Sequence, residues 1–303
     1  MTNNTHTPRK SYPLNLSVNE VHNIFRQSFG MNLKIMRSLY GLRSLELLPE
    51  QGSPLRLVAK NNRDIPLTLP ADEVMGATTF LAKQWDLKKV NFFISLADAA
   101  NADLCLVDVG ANIGLFSRQF GSQFPRLREA FLYEPHPENF EYLKRNLADW
   151  QVKPILVNAA LSDVSGKLDF YEDPSNCGNY SLNLDAMPDN KTQITVDVLV
   201  AQSEESKWLS SGLPIIYKSD TQGFDEKIAT ALSFEFWASV RFGCFELWRI
   251  EKPEFDLGKF AQILESFPNK VFESNPTVRV KTQDVLNYLS GRDRNFDDLL
   301  FWR

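Results

Sequence analysis

The chain has 303 residues, enough to bury a substantial core in one large domain or one domain with an appendage. Lys and Arg total 33 against 38 Asp and Glu, a formal net charge of -5, so no global positive field draws it to nucleic acid or anionic lipid. Cys105, Cys177 and Cys244 lie far apart with no CxxC spacing, against a zinc knuckle or a disulfide framework, and no run of about 18 apolar residues offers a membrane span.

In chain order, the opening MTNNTHTPRKSYP lacks the apolar core of a secretory signal, and roughly the first 12 residues are expected to fray in solvent. A cytoplasmic location follows as the expectation. Val21, Ile24, Phe25, Phe29, Leu33, Ile35, Met36 and Leu39 stand near helical spacing, interrupted at Gly30, which predicts one broken helix or two short ones. LRLVAKNNRDIPLTLP has two short apolar runs around Asn61, Asn62, Arg63 and Asp64 and reads as a hairpin. Helical segments at about 72–82 and 91–100 follow. Residues 1–100 thus form an N-terminal helical and hairpin region, expected to cover an active-site mouth or mediate dimerisation. Residues 101–303 form the main domain.

From Leu104 a strand-then-helix rhythm sets in, the pattern of an open α/β sheet with mostly parallel strands and helices on both faces. LCLVDV is its first strand, AFLYE the second and PILVNAAL the third, with KLDFYE and QITVDVLV as shorter additions. LPIIYKS and CFELWRI are the next core strands, separated by a helix around 224–232. The tail offers TVRV, a helix near 283–289 and a last strand in DDLLFWR.

VDVGANIGLFS, at the end of the first strand, raises the question of a ligand. In an open α/β sheet the crevice lies beyond the carboxyl ends of the strands, where the chain order reverses. Gly110 permits a close backbone approach and Gly114 lets the helix start pack near the strand. The loop lacks the G-x-G-x-x-G triplet that meets a pyrophosphate, which counts against a nicotinamide-dependent oxidoreductase. Glu134, at the end of the second strand, is placed to accept from both hydroxyls of a ribose. A nucleoside without a pyrophosphate makes S-adenosylmethionine the leading candidate.

The blocks VDVGANIGLFS, YEPHPENF, NAALSD and KSDTQGFDEKI, in that order, resemble those of the FkbM-type S-adenosylmethionine-dependent methyltransferases, mostly O-methyltransferases where assigned. TVDVL, CFELW and the closing DLLFWR also fit, so the resemblance runs from about Leu104 to Arg303. It implies a Rossmann-like class I methyltransferase fold. It also implies that Asp108, Gly110, Asn112 and Gly114 line the methionine end of the cofactor, with Glu134 on the ribose and Ala160, Leu161, Ser162 and Asp163 at the adenine. Ser219 and the Thr221-Gln222 pair depart from the commonest form of the fourth block.

Methyl transfer from a sulfonium is an in-line displacement in which the protein chiefly aligns donor and acceptor, and an alcohol acceptor also loses a proton. Asp220 is the first candidate for that base, against a role as helix N-cap. Lys218 either polarises the acceptor or forms a salt bridge. His136 has a suitable reference pKa but also sits where a capping residue would. Glu246, in a strand expected to be buried, needs a partner, either the acceptor pocket or Lys218. Asp220, Asp225 and Glu246 lack a tight metal-ligand spacing, so no metal is expected. The loop at 172–190 falls where a lid over the acceptor would sit. The acceptor implied by the resemblance is a hydroxyl on a sugar, glycan or other secondary metabolite. A cofactor-binding protein without catalysis is the competing reading.

Overall fold

The computed structural model describes residues 28, 31, 44–47, 67–70, 74–82 and 85–303. Of the helix expected over 21–39 only Ser28 and Met31 are described, both helical. The expected first arm of the hairpin and the fraying first residues lie outside the described residues. The second arm is a strand, but its described partner differs from the expected one. Ser44–Leu47 (β1) pairs antiparallel with Leu67–Pro70 (β2) in a register that matches Leu45 with Leu69 and Leu47 with Leu67.

Met75–Ala82 (α1) and Leu87–Ala100 (α2) follow. On α2 the buried positions Val90, Phe93, Ile94 and Ala97 have the spacing of one helical face. Phe93 packs edge-on against Phe116 at 5.1 Å and Phe242 at 5.4 Å, so this helix is built into the core of the domain that follows it. Full burial of such a ring is worth about 1.5–3 kcal/mol.

The main domain then runs through Leu104–Val109 (β3), Leu115–Gln123 (α3), Leu127–Tyr133 (β4), Pro137–Asn146 (α4) and Ile155–Val157 (β5). Next come Ala160–Ser162 (β6), Gly166–Glu172 (β7), Thr192–Val200 (β8), Ala201–Leu209 (α5), Ile215–Ser219 (β9), Asp225–Ala231 (α6) and Phe234–Ser239 (α7). Val240–Trp248 (β10), Leu257–Glu265 (α8), Asn269–Phe272 (β11), Thr282–Leu289 (α9) and Phe296–Trp302 (β12) complete it. The seven-stranded sheet has the order β11-β12-β10-β9-β3-β4-β5, parallel from β10 to β5, with β12 antiparallel to both of its neighbours.

Alternation along β3 divides the core. Cys105, Val107 and Val109 join Tyr217, Trp237 and Phe245 on one face, while Leu104 and Leu106 join Phe93, Phe116 and Phe120 on the other. Both faces are therefore covered, and the expected Rossmann-like α/β architecture is present. The chain order reverses between β3 and β9, which puts the ligand crevice beyond their carboxyl ends.

Two local expectations need correction. PILVNAAL is not one strand: β5 closes the main sheet, while β6 joins a second, three-stranded sheet of order β6-β8-β7. Between them the Asn158 amide donates to the carbonyls of Glu134 at 2.8 Å and Pro135 at 3.1 Å, turning the chain out of the ladder. TVRV forms no strand and contributes one isolated bridge, Arg279 to Val271. The edge position belongs to β11, where Lys270 and Val271 are buried, whereas Val278 is 51 % exposed.

Candidate active site

The carboxyl ends of β3 and β9 meet at a backbone contact. Asp220 N–H donates to the Val109 carbonyl at 3.0 Å, and a Cβ on Gly110 would lie 2.0 Å from the Asp220 carbonyl oxygen. Gly110 also has φ +75°, so glycine is required here on two counts. Asn112 has φ +52°, a conformation asparagine tolerates better than most residues. Its side chain is fixed at both ends: the amide donates to the Cys177 carbonyl at 2.8 Å, and the oxygen accepts from Ile113 N–H at 2.7 Å.

Glu134, at the end of β4, faces this turn. Its two oxygens accept one backbone hydrogen bond each, from Asn112 N–H and His136 N–H, both at 2.8 Å. Each oxygen keeps a further lone pair for a ligand hydroxyl. Burial pushes the carboxyl up to about 7, although the two backbone donors pull the other way.

Gly110, Asn112, Glu134, Ala160 and Leu161 line one part of a cavity of about 750 Å³. The loop over 172–190 forms a wall, contributing Asn179, Tyr180 and Leu182, and is tied down through Cys177 and through Ser181 Oγ, which donates to the Gln222 carbonyl at 2.8 Å.

The same cavity continues past Lys218 and Asp220 to Glu246, Trp248 and Asp298. Lys218 Nζ lies 2.9 Å from Asp108 and 3.8 Å from Asp220, and donates to the Gly110 carbonyl at 3.0 Å. Burial would lower its pKa, but the two carboxylates outweigh that and hold it above the ordinary lysine value. Burial likewise works against the Asp220 carboxylate, yet Lys218, Lys89 and hydrogen bonds from Glu246 and Gln222 keep it below its usual range. Glu246 is pushed well up by burial and by the like charges of Asp220, Asp298 and Asp225. Its Oε2 accepts from the Trp248 indole at 2.7 Å, and its carboxyl hydrogen-bonds with Asp220.

The structure separates the expected residues into groups. Gly110, Asn112, Glu134, Ala160, Leu161, Lys218 and Asp220 meet at the cavity. Asp108, Gly114, His136, Ser162 and Asp163 are not among its lining residues. Asp108 is fully buried beneath the loop, accepting from Ser117 Oγ and answering Lys218. Gly114, φ +84°, opens α3, where a Cβ would meet Leu143 at 2.7 Å. His136 caps α4 by accepting from Asn139 N–H at 3.3 Å and holds Glu172 at 2.7 Å through Nε2, which explains its position without catalysis. Ser162 donates to Asp163, which pairs with Lys227 at 2.9 Å.

Asp220 does not cap the following helix, whose N-cap position is Phe224; Asp225 instead accepts from Thr221 N–H and Oγ1. Missing from the sequence reading are Trp85, Asp86 and Lys89 from the N-terminal side, and Asp298. Asp298 could have been found from register, since it pairs directly across from Glu246.

Among the described residues no cluster of His, Cys, Asp and Glu could hold a metal ion, and no helix is long and apolar enough to cross a membrane. No family model and no curated protein matches the chain. Solved structures similar to it include a precorrin-6y C5,15-methyltransferase from Geobacter metallireducens, at 12% identity and TM-score 0.31 over 71% of this chain and 87% of that one. An S-adenosylmethionine-dependent methyltransferase from Clostridium acetobutylicum matches at 10% identity and TM-score 0.33, over 74% and 95% of the two chains. Human N-acetylserotonin methyltransferase matches at 10% and 0.30, over 78% and 60%. At such scores the likeness carries no weight for activity or substrate.

Proposed function

We propose that this chain is an S-adenosylmethionine-dependent methyltransferase of the FkbM kind that methylates a hydroxyl. The observation that carries this reading is Glu134, held by two backbone donors at the end of β4 across from the Gly110–Asn112 turn, in one cavity with Asp220. The donor set fits the cofactor: a carboxylate with lone pairs for both ribose hydroxyls, a turn too close to Asp220 for any side chain, and apolar Ala160 and Leu161 for a flat base. When bound, the cofactor would supply an activated methyl group.

The chain's own residues do the rest. Lys218 is fixed by Asp108 and Gly110, so it holds Asp220 ionised and in place. Gln222, donating to Asp220 Oδ1 at 2.9 Å, and Glu246 orient the carboxylate so that it accepts a hydrogen bond from an acceptor hydroxyl. A hydroxyl oxygen gains acidity steeply as it is alkylated, so even a carboxylate of low pKa takes its proton late in the transfer. Asp220 is thus the general base, and Glu246 and Lys218 position it. The loop over 172–190, with Tyr180, walls the cofactor side.

Calorimetric titration with S-adenosylmethionine and S-adenosylhomocysteine tests the reading. Micromolar binding is expected in the wild type, weakened about tenfold or more in Glu134→Ala. Absence of binding by the folded wild type overturns it.

A further inference from the structure

Among the described residues, the cavity beyond Asp220 holds more carboxyl groups than its cations answer. Asp86, Asp220, Glu246, Glu273 and Asp298 line it, with Lys89 and Lys218 as its lysines. Each lysine is already shared. Lys218 serves Asp108 and Asp220, and Lys89 lies 2.8 Å from both Asp86 and Asp298. Glu246 bonds to Trp248 and Asp220, neither of them a cation. Glu273 feels Lys89 and Lys88 but also Asp86 and Asp297.

A second observation points the same way. Asp298 is 7 % exposed and pairs with Lys89 through Oδ2, but among the described residues no hydrogen-bond donor reaches its Oδ1 or the buried Oε1 of Glu273. The aromatic walls supply a third. Trp248 and Phe296 line this end, and their rings stack with centroids 4.8 Å apart. Carboxylates short of donors beside aromatic rings are surroundings that favour an organic cation.

On the reading of this cavity as a methyltransferase site, we propose that the acceptor is a small hydroxylated molecule bearing a protonated amine. Its ammonium sits among Glu246, Glu273 and Asp298 against Trp248, and its hydroxyl reaches Asp220. Burial, together with neighbouring like charges, pushes the Asp298 carboxyl up to about 7 and raises Glu246 and Glu273. An ammonium relieves that repulsion and releases protons as it binds.

The test uses the full chain saturated with S-adenosylhomocysteine, titrated with glucosamine, glucose and glucuronic acid, and with 2-aminoethanol, ethylene glycol and glycolate, followed by ligand-detected NMR. The amines are expected to bind at least about tenfold more tightly than their neutral partners and to lose that preference in Glu273→Gln and Asp298→Asn. Equal or tighter binding of the neutral or anionic members, or no cation-selective binding in either series, overturns the proposal. Retained S-adenosylhomocysteine binding in both variants separates that failure from misfolding. Loss of it in the wild type sinks the methyltransferase reading itself.

Discussion

At one end of the cavity the walls are turns of the backbone; at the other they are side chains reaching in from distant parts of the fold. Gly110, Asn112 and Glu134 belong to two neighbouring strand ends, and what they offer is main-chain geometry with one carboxylate held by N–H groups. Lys89, Asp220, Glu246 and Asp298 come from α2, the turn just after β9, β10 and β12, and what they offer is charge. The difference teaches that the first end tolerates no change of shape, whereas the second tolerates no change of charge balance.

Gly110→Ala should have the largest effect. The new Cβ meets the Asp220 carbonyl, and the positive φ is strained for alanine, so stability falls by at least about 3 kcal/mol and cofactor binding is lost. Chemical denaturation and calorimetry on the same preparation would check it. A variant of near-normal stability that still binds would mean that β3 and β9 can separate, and the first end would not be rigid.

Lys218→Met breaks the second end. It removes the cation from Asp108, which is fully buried, and leaves an uncompensated charge costing about 3–5 kcal/mol. Denaturant midpoints give the cost. Repeating them with Asp108→Asn added sharpens the comparison, because removing both charges should restore much of the loss.

The pH dependence is smaller. A ribose hydroxyl donates to Glu134 when that carboxyl is ionised, and burial places its titration at about 7. Binding favours the ionised form, so affinity should be flat above pH 7 and fall by up to about tenfold per pH unit below it. Calorimetry across that range, in buffers of different ionisation enthalpy, should also record proton release near neutrality. Affinity independent of pH would place the ribose elsewhere.

The same contrast governs what the sequence discloses. The glycine turn, Glu134 and the alternation of strands with helices are local patterns, so residues a few positions apart reveal them. The core strands β3, β4, β9, β10 and β12 were legible for that reason. The strand NKVF was not: Lys270 makes it look exposed, yet its ammonium is buried against the carbonyls of Leu264 and Phe267 at the end of α8. Nor did anything in LKKVNFF mark Lys89 for burial beside Lys88, since the reason is Asp298 at the far end of the chain. His136 was legible from its place before Pro137, and its ring does accept from Asn139 N–H as a cap.

The indoles divide along the same line. Trp208 and Trp237 are sealed inside the core, packed against Tyr133 and Tyr217. Trp85 and Trp248 stand in the cavity wall, and the Trp248 N–H donates to Glu246. Under ultraviolet excitation the first pair therefore emits from an apolar surrounding that only unfolding changes, and the second from a polar one that any occupant alters. With Trp150 and Trp302 replaced by phenylalanine, the molecule would carry its own two-channel optical gauge, one reporting whether it is folded and the other whether it is filled.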